Sequence, residues 1–332
     1  MNYIGSKYKL SEFIKSTIVD VVGNDLKNMT FCDLFAGTGI VARNFKTDVK
    51  QIIANDFEFY SYTLIRNYIG NHKKLDQANK RIGILNNLKN QKGIIYKNYC
   101  YGSGSERQYF SDTNGQKIDA IRLQIEKWKQ NAEINEDMYF FLLASLLESA
   151  DKVANTASVY GAFLKHLKKT AKKELVLKPA LFAETKNKHQ VFNEDSNTLI
   201  KKIEGDILYL DPPYNARQYG ANYHILNTIA EYKDFEPKGK TGLPNYKKSA
   251  YCSKASVLKT FDDLLKNAKF KYIFLSYNNE GLMSVEEIKK IMSQYGKYTL
   301  FSTDYKRFRA DKEENRNHKS DKTQEYLHLL VK

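Results

Sequence analysis

Asp211, Pro212, Pro213 and Tyr214 are the residues of this sequence whose types and spacing point most directly to chemistry. They follow the apolar run 205–210, which predicts a buried strand, so the tetrapeptide stands where that strand ends. Each proline fixes its own φ and lacks an N–H, so the Pro212 carbonyl is held outward beside the Asp211 carboxylate. The alternative interpretation is an ordinary strand-ending turn without chemistry.

Two neighbouring acceptors of this kind suit an exocyclic amine, which offers two N–H donors. The N6 nitrogen of adenine is a poor nucleophile, because its lone pair is delocalised into the ring. Acceptors that take both hydrogens draw the nitrogen toward tetrahedral geometry and free the lone pair to attack an electrophilic methyl group. The Tyr214 ring suits stacking on the base. The tetrapeptide is therefore typical of methylation at an amine.

A second candidate site lies nearer the N-terminus, where a predicted strand at 29–35 runs into a glycine turn and then a helical pattern at 40–45. This is the first unit of a doubly wound α/β sheet, whose ligand sits at the carboxyl end of the strand. The turn contains Gly37 and Gly39. Asp56 ends the second predicted strand, 17 positions after Gly39, where an acidic residue is placed to hold ribose hydroxyls.

The glycine turn is also compatible with a nicotinamide-dependent dehydrogenase, because residues 37–42 fit the dinucleotide pattern GxGxxA. Such an enzyme has no evident use for Asp-Pro-Pro-Tyr or for a large basic insertion. Acidic residues moreover follow both the second and the third predicted strands, at Asp56 and Asp195, and Asp211 follows the fourth. This succession of carboxylates favours one shared site at the carboxyl edge of a sheet.

The charge of the chain favours a polyanionic partner. The 53 Lys and Arg residues against 38 Asp and Glu give a formal net charge of +15 and a pI near 9.3. Much of the excess lies in residues 71–190, where the α/β rhythm is interrupted by helical patterns and by loops rich in Gly, Ser and Asn. Lysines interleaved with aromatic residues suit phosphate contacts, although a solvated helix face explains any single lysine equally well.

Other classes of protein are disfavoured by composition. Cys32, Cys100 and Cys252 lie far apart without CxxC spacing, which argues against a disulfide framework and against a zinc site, so no metal is expected. The longest apolar stretch, 138–147, is too short to span a bilayer, and the N-terminus has no apolar signal core. The chain is therefore expected to act in the cytoplasm.

Taken together, these landmarks resemble the DNA adenine-N6 methyltransferases of the α group, the D12 class. Their order is an N-terminal Gly-Lys loop, an FxGxG loop, a target-recognition insertion and then DPPY. The matching residues are Asn2 to Lys7, Phe35 to Gly39, roughly 60 to 190, and Asp211 to Tyr214. The long gap from Gly39 to Asp211 fits the α order, since the tetrapeptide comes first in the β group and lies much closer in the γ group.

The resemblance implies an α/β fold: a Rossmann-like S-adenosylmethionine-dependent methyltransferase sheet with an inserted, mainly helical target-recognition domain. The catalytic domain is expected at 1–60 and 188–332, and the DNA-binding insertion at 61–187. The implied activity is sequence-specific transfer of methyl from S-adenosylmethionine to N6 of a flipped-out adenine in duplex DNA. The implied enzyme is the modification enzyme of a restriction-modification system, with a cognate endonuclease acting separately. An RNA adenine-N6 methyltransferase remains the alternative substrate class.

The resemblance also assigns roles to individual residues. Asp33 is expected to bind the methionine amine, Asp56 the ribose and Asp195 the adenine amine of the cofactor. The remaining residues expected to line the cofactor are Tyr3, Lys7, Phe35, Gly37 and Gly39. The residues expected to grip the target adenine are Asp211, Pro212, Pro213 and Tyr214.

The recognition segment departs from the solitary GATC-methylating branch, whose asparagine-, glycine- and proline-containing motif is missing here. Residues 160–165 stand in its region instead. The opening residues, the continuation at 215–219 and the overall size look more like the branch of restriction-modification enzymes that methylates CATG. The residues expected to contact DNA are Tyr160, Lys165, Lys168, Lys169, Lys172, Lys173 and Arg217.

Overall fold

The computed structural model describes residues 7–306 and 322–332 of the chain. The strands of the described chain are β1 (Thr30–Asp33), β2 (Gln51–Asn55), β3 (Gln190–Phe192), β4 (Glu204–Leu210), β5 (Lys269–Asn278), β6 (Lys297–Lys306) and β7 (Lys322–Val331). They form one sheet in the order β3-β2-β1-β4-β5-β7-β6. Strands β1 to β5 are parallel, whereas β7 runs antiparallel between β5 and β6.

The helices of the described chain are α1 (Ser11–Val22), α2 (Ile40–Phe45), α3 (Phe59–Ile65), α4 (Ala78–Asn86), α5 (Ile94–Tyr99), α6 (Asp112–Gln130), α7 (Glu136–Val153), α8 (Ser196–Leu199), α9 (Tyr219–Asn222), α10 (His224–Glu231), α11 (Val257–Asn267) and α12 (Val285–Met292). The two longest begin at side-chain caps. Ser111 accepts from the Asn114 N–H before α6, and Asn135 accepts from the Met138 N–H before α7. These caps satisfy N–H groups that the first turn of a helix leaves without a partner.

The chain divides into two compact units. The sheet unit comprises the described residues 7–57, 185–218, 248–306 and 322–332, and it contains every strand named above. The order of its parallel strands reverses between β1 and β4, which is the point where doubly wound sheets bind their ligands. The core on one face combines apolar strand residues with α11 and α12. The Phe31 ring of β1 stacks on Phe45 of α2, with ring centroids 4.4 Å apart.

The helical unit comprises residues 58–184 and 219–247 and holds α3 to α7, α9 and α10 around an aromatic-rich core. Charged side chains from α6 satisfy the ends of neighbouring helices. Asp119 accepts from the backbone N–H of Gly93, Ile95 and Tyr96 at the start of α5, at 2.8, 2.9 and 2.8 Å. At the end of α10, the Arg122 guanidinium donates to carbonyls of residues 229 and 230.

The observed division differs from the predicted domain boundaries in segment 219–247. The sequence prediction placed this segment in the catalytic domain, but it packs within the helical unit. The physical reason is that α10 is amphipathic and buries Ile225, Leu226 and Ile229 in the helical core. In the described part of the chain, no helix is long and apolar enough to cross a membrane.

Candidate active site

The register of the sheet brings three predicted carboxylates, Asp33, Asp56 and Asp211, to one face. Asp33 of β1 lies opposite Ala54 of β2 on one side and opposite Tyr209 of β4 on the other. Leu210, the last residue of β4, pairs with Leu275 of β5. Because side chains alternate along strands, Asp33 and Tyr209 point to the same face, as do Asp56 and Asp211 two positions further on. Asp33, Asp56 and Asp211 therefore follow one another across the sheet, whereas Asp195 of the predicted succession lies at the N-terminus of α8.

The glycine turn after β1 is built from backbone that only glycine adopts readily. Gly37 has φ of 54° and Gly39 has φ of 75°, both in the left-handed region. The Gly39 N–H donates to the Ala36 carbonyl at 2.7 Å, and the Ala36 N–H donates to the Asn55 carbonyl. The buried Asn55 side chain in turn donates to the carbonyls of residues 34 and 194. Asn55, which the sequence prediction missed, thus ties the loops after β1, β2 and β3 together.

Two carboxylates support this turn. Asp56 Oδ2 accepts from the Gly37 N–H at 2.7 Å, and Asp33 Oδ2 accepts from the Ala42 N–H at 3.2 Å. The other oxygen, Asp33 Oδ1, is buried and has no hydrogen-bond partner among the described residues. Burial raises the pKa of Asp33 well above its usual range, and the nearby Asp211 raises it further. A buried carboxylate that lacks a partner fits a cationic amine, which would restore the ionised form.

The remaining cofactor candidates have simpler surroundings. Phe35 is half-buried and meets the Tyr251 ring edge-on, with centroids 5.0 Å apart. Asp195 is exposed and caps α8 by accepting from the Thr198 N–H and hydroxyl. Tyr3, also predicted for this site, lies outside the described residues.

Lys7 stands next to the tetrapeptide. Its Nζ lies 3.0 Å from Asp211 Oδ1, and the two side chains are only 6% and 19% exposed. Burial raises the pKa of Asp211, and the Lys7 ammonium opposes that rise. Burial lowers the pKa of Lys7, but attraction to Asp211 and Glu325 outweighs it and leaves that pKa raised. The sequence predicted that Lys7 lines the cofactor. In the structure its ammonium contacts Asp211, the carboxylate that is predicted to bind the amine of the target adenine.

The rest of the tetrapeptide is anchored to its surroundings. Pro212 is buried, and Pro213 is half-buried. The Tyr214 carbonyl accepts from the Leu282 N–H at 3.0 Å, and the partly buried Tyr214 ring packs against the core of the sheet unit. Burial is also the main cause of the raised pKa of Tyr214, so the ring stays neutral. A neutral, anchored ring beside a carboxylate can hold a planar base.

Glu325 is a further acidic residue at this edge that the sequence prediction missed. It lies in β7 opposite Asn278, the last residue of β5, and its Oε2 atom is buried without a hydrogen-bond partner in the described chain. Glu325 stands in the first half of β7, and the first residues of a parallel strand lie at the edge opposite to the carboxyl ends. Only the antiparallel course of β7 brings it to the carboxyl edge, and the sequence pattern carried no signal for that course.

The residues predicted to contact DNA fall into different environments. Lys165, Lys169, Lys172 and Lys173 are exposed on the helical unit, and Arg217 is exposed on the sheet unit. Lys168 is half-buried, and its Nζ donates to the Thr156 carbonyl at 2.6 Å, so its ammonium is already engaged within the unit.

Tyr160 is a correction to the sequence prediction, because its side chain is fully buried. Its hydroxyl donates to Asp151 at 3.0 Å, and its carbonyl accepts from the Tyr109 hydroxyl at 2.8 Å. The ring packs among Tyr109 and Tyr223. Tyr160 was predicted to contact DNA because residues 160–165 stand in the region of the recognition motif, but it is a core residue of the helical unit.

The sheet order, with β7 antiparallel between β5 and β6, and Asp-Pro-Pro-Tyr at the end of β4 fit an S-adenosylmethionine-dependent methyltransferase. The chain belongs to the D12 class N6 adenine-specific DNA methyltransferase family, whose model matches residues 3–291. This confirms the predicted family, fold class and enzyme class, with S-adenosylmethionine as cofactor and DNA as substrate. The dehydrogenase alternative is thereby excluded.

The similarity to known methyltransferases extends over most of the chain. It is 63% identical over 332 residues to the type II methyltransferase M.NlaIII of Neisseria lactamica, covering 100% of this chain and 99% of that protein. It is 40% identical over 312 residues to the type II methyltransferase M.CviAII of Paramecium bursaria Chlorella virus 1, with 93% of each chain covered. It is also 40% identical over 325 residues to the type II methyltransferase M.FokI of Planomicrobium okeanokoites, covering 93% of this chain and 50% of that protein.

Proposed function

We propose that this adenine-N6 methyltransferase is the modification enzyme of a type II restriction-modification system and that its target is the adenine of CATG in duplex DNA. The observation that carries the catalytic part is the buried ion pair between Lys7 and Asp211 at the end of β4. An ammonium 3.0 Å away offsets part of the cost of burying the Asp211 carboxylate and favours its ionised form, although burial leaves the pKa of Asp211 raised. An ionised carboxylate accepts hydrogen bonds and donates none, as a grip on an amine requires.

The residues of the tetrapeptide divide the work on the target base. Asp211 and the Pro212 carbonyl accept the two N6 hydrogens of the flipped adenine, and the Tyr214 ring stacks on its face. Stacking and the two hydrogen bonds offset the few kcal/mol that flipping costs, in the range typical of unstacking one base. The N6 lone pair is then free to attack, and the proton that N6 loses leaves on the side of Asp211.

The cofactor residues lie along the neighbouring strand ends. S-adenosylmethionine supplies the electrophilic methyl group when it is bound. Asp33 Oδ1, which has no partner among the described residues, suits the methionine amine. Asp56 at the end of β2 suits the ribose, and Asp195 the adenine amine. The turn at Gly37 and Gly39 and the Phe35 ring line the path between them.

We propose that the helical unit is the target-recognition domain. Support comes from its exposed lysines at 165, 169, 172 and 173, which suit phosphate contacts, and from the insertion of its larger segment, 58–184, between strands β2 and β3. Arg217 of the sheet unit is a further proposed phosphate contact. The proposed enzyme acts in the cytoplasm, and a separate endonuclease that cuts the same site is its expected counterpart.

The test is to express the chain in a host that lacks adenine methylation and to sequence the host genome with modification-sensitive long reads. We expect N6-methyladenine confined to CATG. Methylation at another short motif would refute the proposed target while leaving the enzyme class intact. Expression of soluble protein without any methylated DNA base would refute the DNA substrate as proposed, and RNA from the same cells would then be assayed.

A further inference from the structure

We propose that Tyr251 is a positioning residue for S-adenosylmethionine, which holds two parts of the cofactor site in place, the Phe35 ring and the start of α8. Tyr251 lies in the short segment 249–252, which precedes α11 and belongs to the sheet unit. The inference rests on the cofactor roles proposed for Phe35 and Asp195, and it assigns to Tyr251 an action through these two residues.

The ring of Tyr251 supports Phe35. The two rings meet at an interplanar angle of 78°, with centroids 5.0 Å apart, which is the edge-to-face arrangement that aromatic pairs prefer. Tyr251 is only 3% exposed and belongs to the buried core of the sheet unit, whereas Phe35 is half-buried and packs against that core. The enclosed ring therefore sets the plane of the ring that remains accessible to the cofactor.

The hydroxyl of Tyr251 reaches the second part of the site. It donates to Asn197 Oδ1 at 2.9 Å. Burial raises the pKa of Tyr251 well above its ordinary value, so the hydroxyl stays neutral and remains a donor. The Asn197 amide donates in turn to the Thr260 carbonyl and to Asp263 Oδ2 in α11, both at 2.8 Å. Asn197 lies in the first turn of α8, directly after the cap residue Asp195 and Ser196, so these bonds fasten the turn that carries Asp195.

The backbone of segment 249–252 is itself fastened on both sides of Tyr251. The Gln218 side chain, just beyond the tetrapeptide, pairs with the Ser249 backbone: its Oε1 accepts from the N–H at 2.8 Å, and its Nε2 donates to the carbonyl at 3.3 Å. The Ser249 hydroxyl accepts from the Tyr251 N–H at 3.3 Å, and the Ser256 hydroxyl donates to the Ala250 carbonyl at 2.7 Å. A side chain on a fixed backbone can hold its neighbours in one geometry before the ligand binds, which lowers the ordering cost of binding.

The test measures cofactor affinity directly, by calorimetric titration of the full chain with S-adenosylmethionine in the absence of DNA. Tyr251→Leu removes the ring and should raise Kd about tenfold, because the released Phe35 ring and helix start must then be ordered on binding. Tyr251→Phe keeps the ring and loses only the bond to Asn197, so we expect a rise of about threefold. Single-turnover methylation at saturating cofactor should stay within about twofold of wild type in both variants, since the grip on the target adenine is unchanged.

Each variant has a matched control in the same unit. Phe270→Leu also removes a buried ring from this core, but Phe270 lies at the start of β5, at the end of the sheet opposite the carboxyl edge. Tyr295→Phe also removes one hydroxyl bond, since the Tyr295 hydroxyl donates to Asp262 at 2.8 Å. Both controls should bind S-adenosylmethionine as wild type does.

The outcomes separate the positioning role from the roles on which it rests. A Tyr251→Leu enzyme with wild-type affinity for S-adenosylmethionine would overturn the inference, and so would an equal loss in Phe270→Leu, which would trace the effect to the core as a whole. If Tyr251→Leu does not fold, Tyr251→Phe against Tyr295→Phe decides in the same way. Wild-type affinity in Phe35→Ala would instead overturn the cofactor role of Phe35 itself.

Discussion

Buried carboxyl groups occur in both units of this molecule, but their surroundings differ. In the helical unit, Asp119 accepts from three backbone N–H groups and from the Tyr232 hydroxyl at 2.6 Å. In the sheet unit, Asp33 accepts one N–H through Oδ2, while Asp33 Oδ1 and Glu325 Oε2 have no partner among the described residues. A saturated carboxyl group holds a fold together, whereas one left short of partners at a sheet edge is prepared for a ligand.

The same contrast holds for cations. Arg122 and Lys117 of the helical unit donate to backbone carbonyls and so complete helix ends. Lys7 of the sheet unit is as deeply buried, yet its ion pair is with a carboxylate of the proposed active site. Substitutions at the buried charges of the sheet unit should therefore lower the rate of methyl transfer more than the free energy of unfolding. Substitutions in the helical core should lower the free energy of unfolding more than the rate.

The largest effect is expected from Asp211→Ala. Loss of the accepting carboxylate should slow methyl transfer by at least about 10³-fold, the upper range for one positioned proton-accepting group. Cofactor affinity should persist, because Asp33 and Asp56 are unchanged. Single-turnover methylation and calorimetric titration with S-adenosylmethionine measure the two quantities. Turnover close to wild type would show that Asp211 does not grip the amine.

Asn155→Ala should produce the largest loss of stability in the comparison. The buried Asn155 side chain donates to the carbonyls of Gln108 and Leu164 and accepts from the Lys168 N–H. Leaving these groups without a partner should lower the free energy of unfolding by about 3 kcal/mol. Denaturant titration measures the free energy of unfolding. Hydrogen exchange should show that the loss of protection lies in the helical unit. Asn131→Ala, at an exposed position, should have little effect.

An intermediate effect is expected from replacing three exposed lysines of the helical unit, Lys169, Lys172 and Lys173, with glutamine. The dissociation constant for DNA should rise about tenfold at moderate salt, and the magnitude of its log-log salt slope should fall by about 2 to 3. The matched control replaces the exposed lysines 266, 289 and 290 of the sheet unit. An equal change in both triple variants would mean that total charge, and not the helical surface, governs DNA binding.

Tyr160→Phe should have the smallest effect. It removes one buried hydrogen bond, to Asp151, and should cost about 1 kcal/mol of stability. Affinity for a CATG duplex should stay the same, because the ring does not reach the surface of the unit. Fluorescence anisotropy with matched and mismatched duplexes checks this. A change in sequence preference would mean that the side chain leaves the core when DNA binds.

Much of the sheet unit could be predicted from the sequence. The apolar runs before Asp56, Asp195 and Asp211 predicted β2, β3 and β4, and the residues 29–45 predicted a strand, a glycine turn and a helix. Local residue types determine these features, and parallel strands bring their carboxyl ends to one edge without further information. The family was recognisable from the order of these landmarks for the same reason.

Other features of the site depended on contacts between distant segments, which no local pattern encodes. The pairing of Lys7 with Asp211 and the burial of Tyr160 arise from packing across more than fifty residues of chain. The arrival of Glu325 at the carboxyl edge arises from the antiparallel course of β7.

The sequence by itself determined which residues end the parallel strands, the glycine turn and the tetrapeptide, because hydrophobic periodicity and backbone preference act over a few residues. The tertiary structure decided which buried charges face one another and which aromatic residues are enclosed. Electrostatic interaction and burial depend on distance in space, and the fold alone sets that distance for residues far apart in the chain.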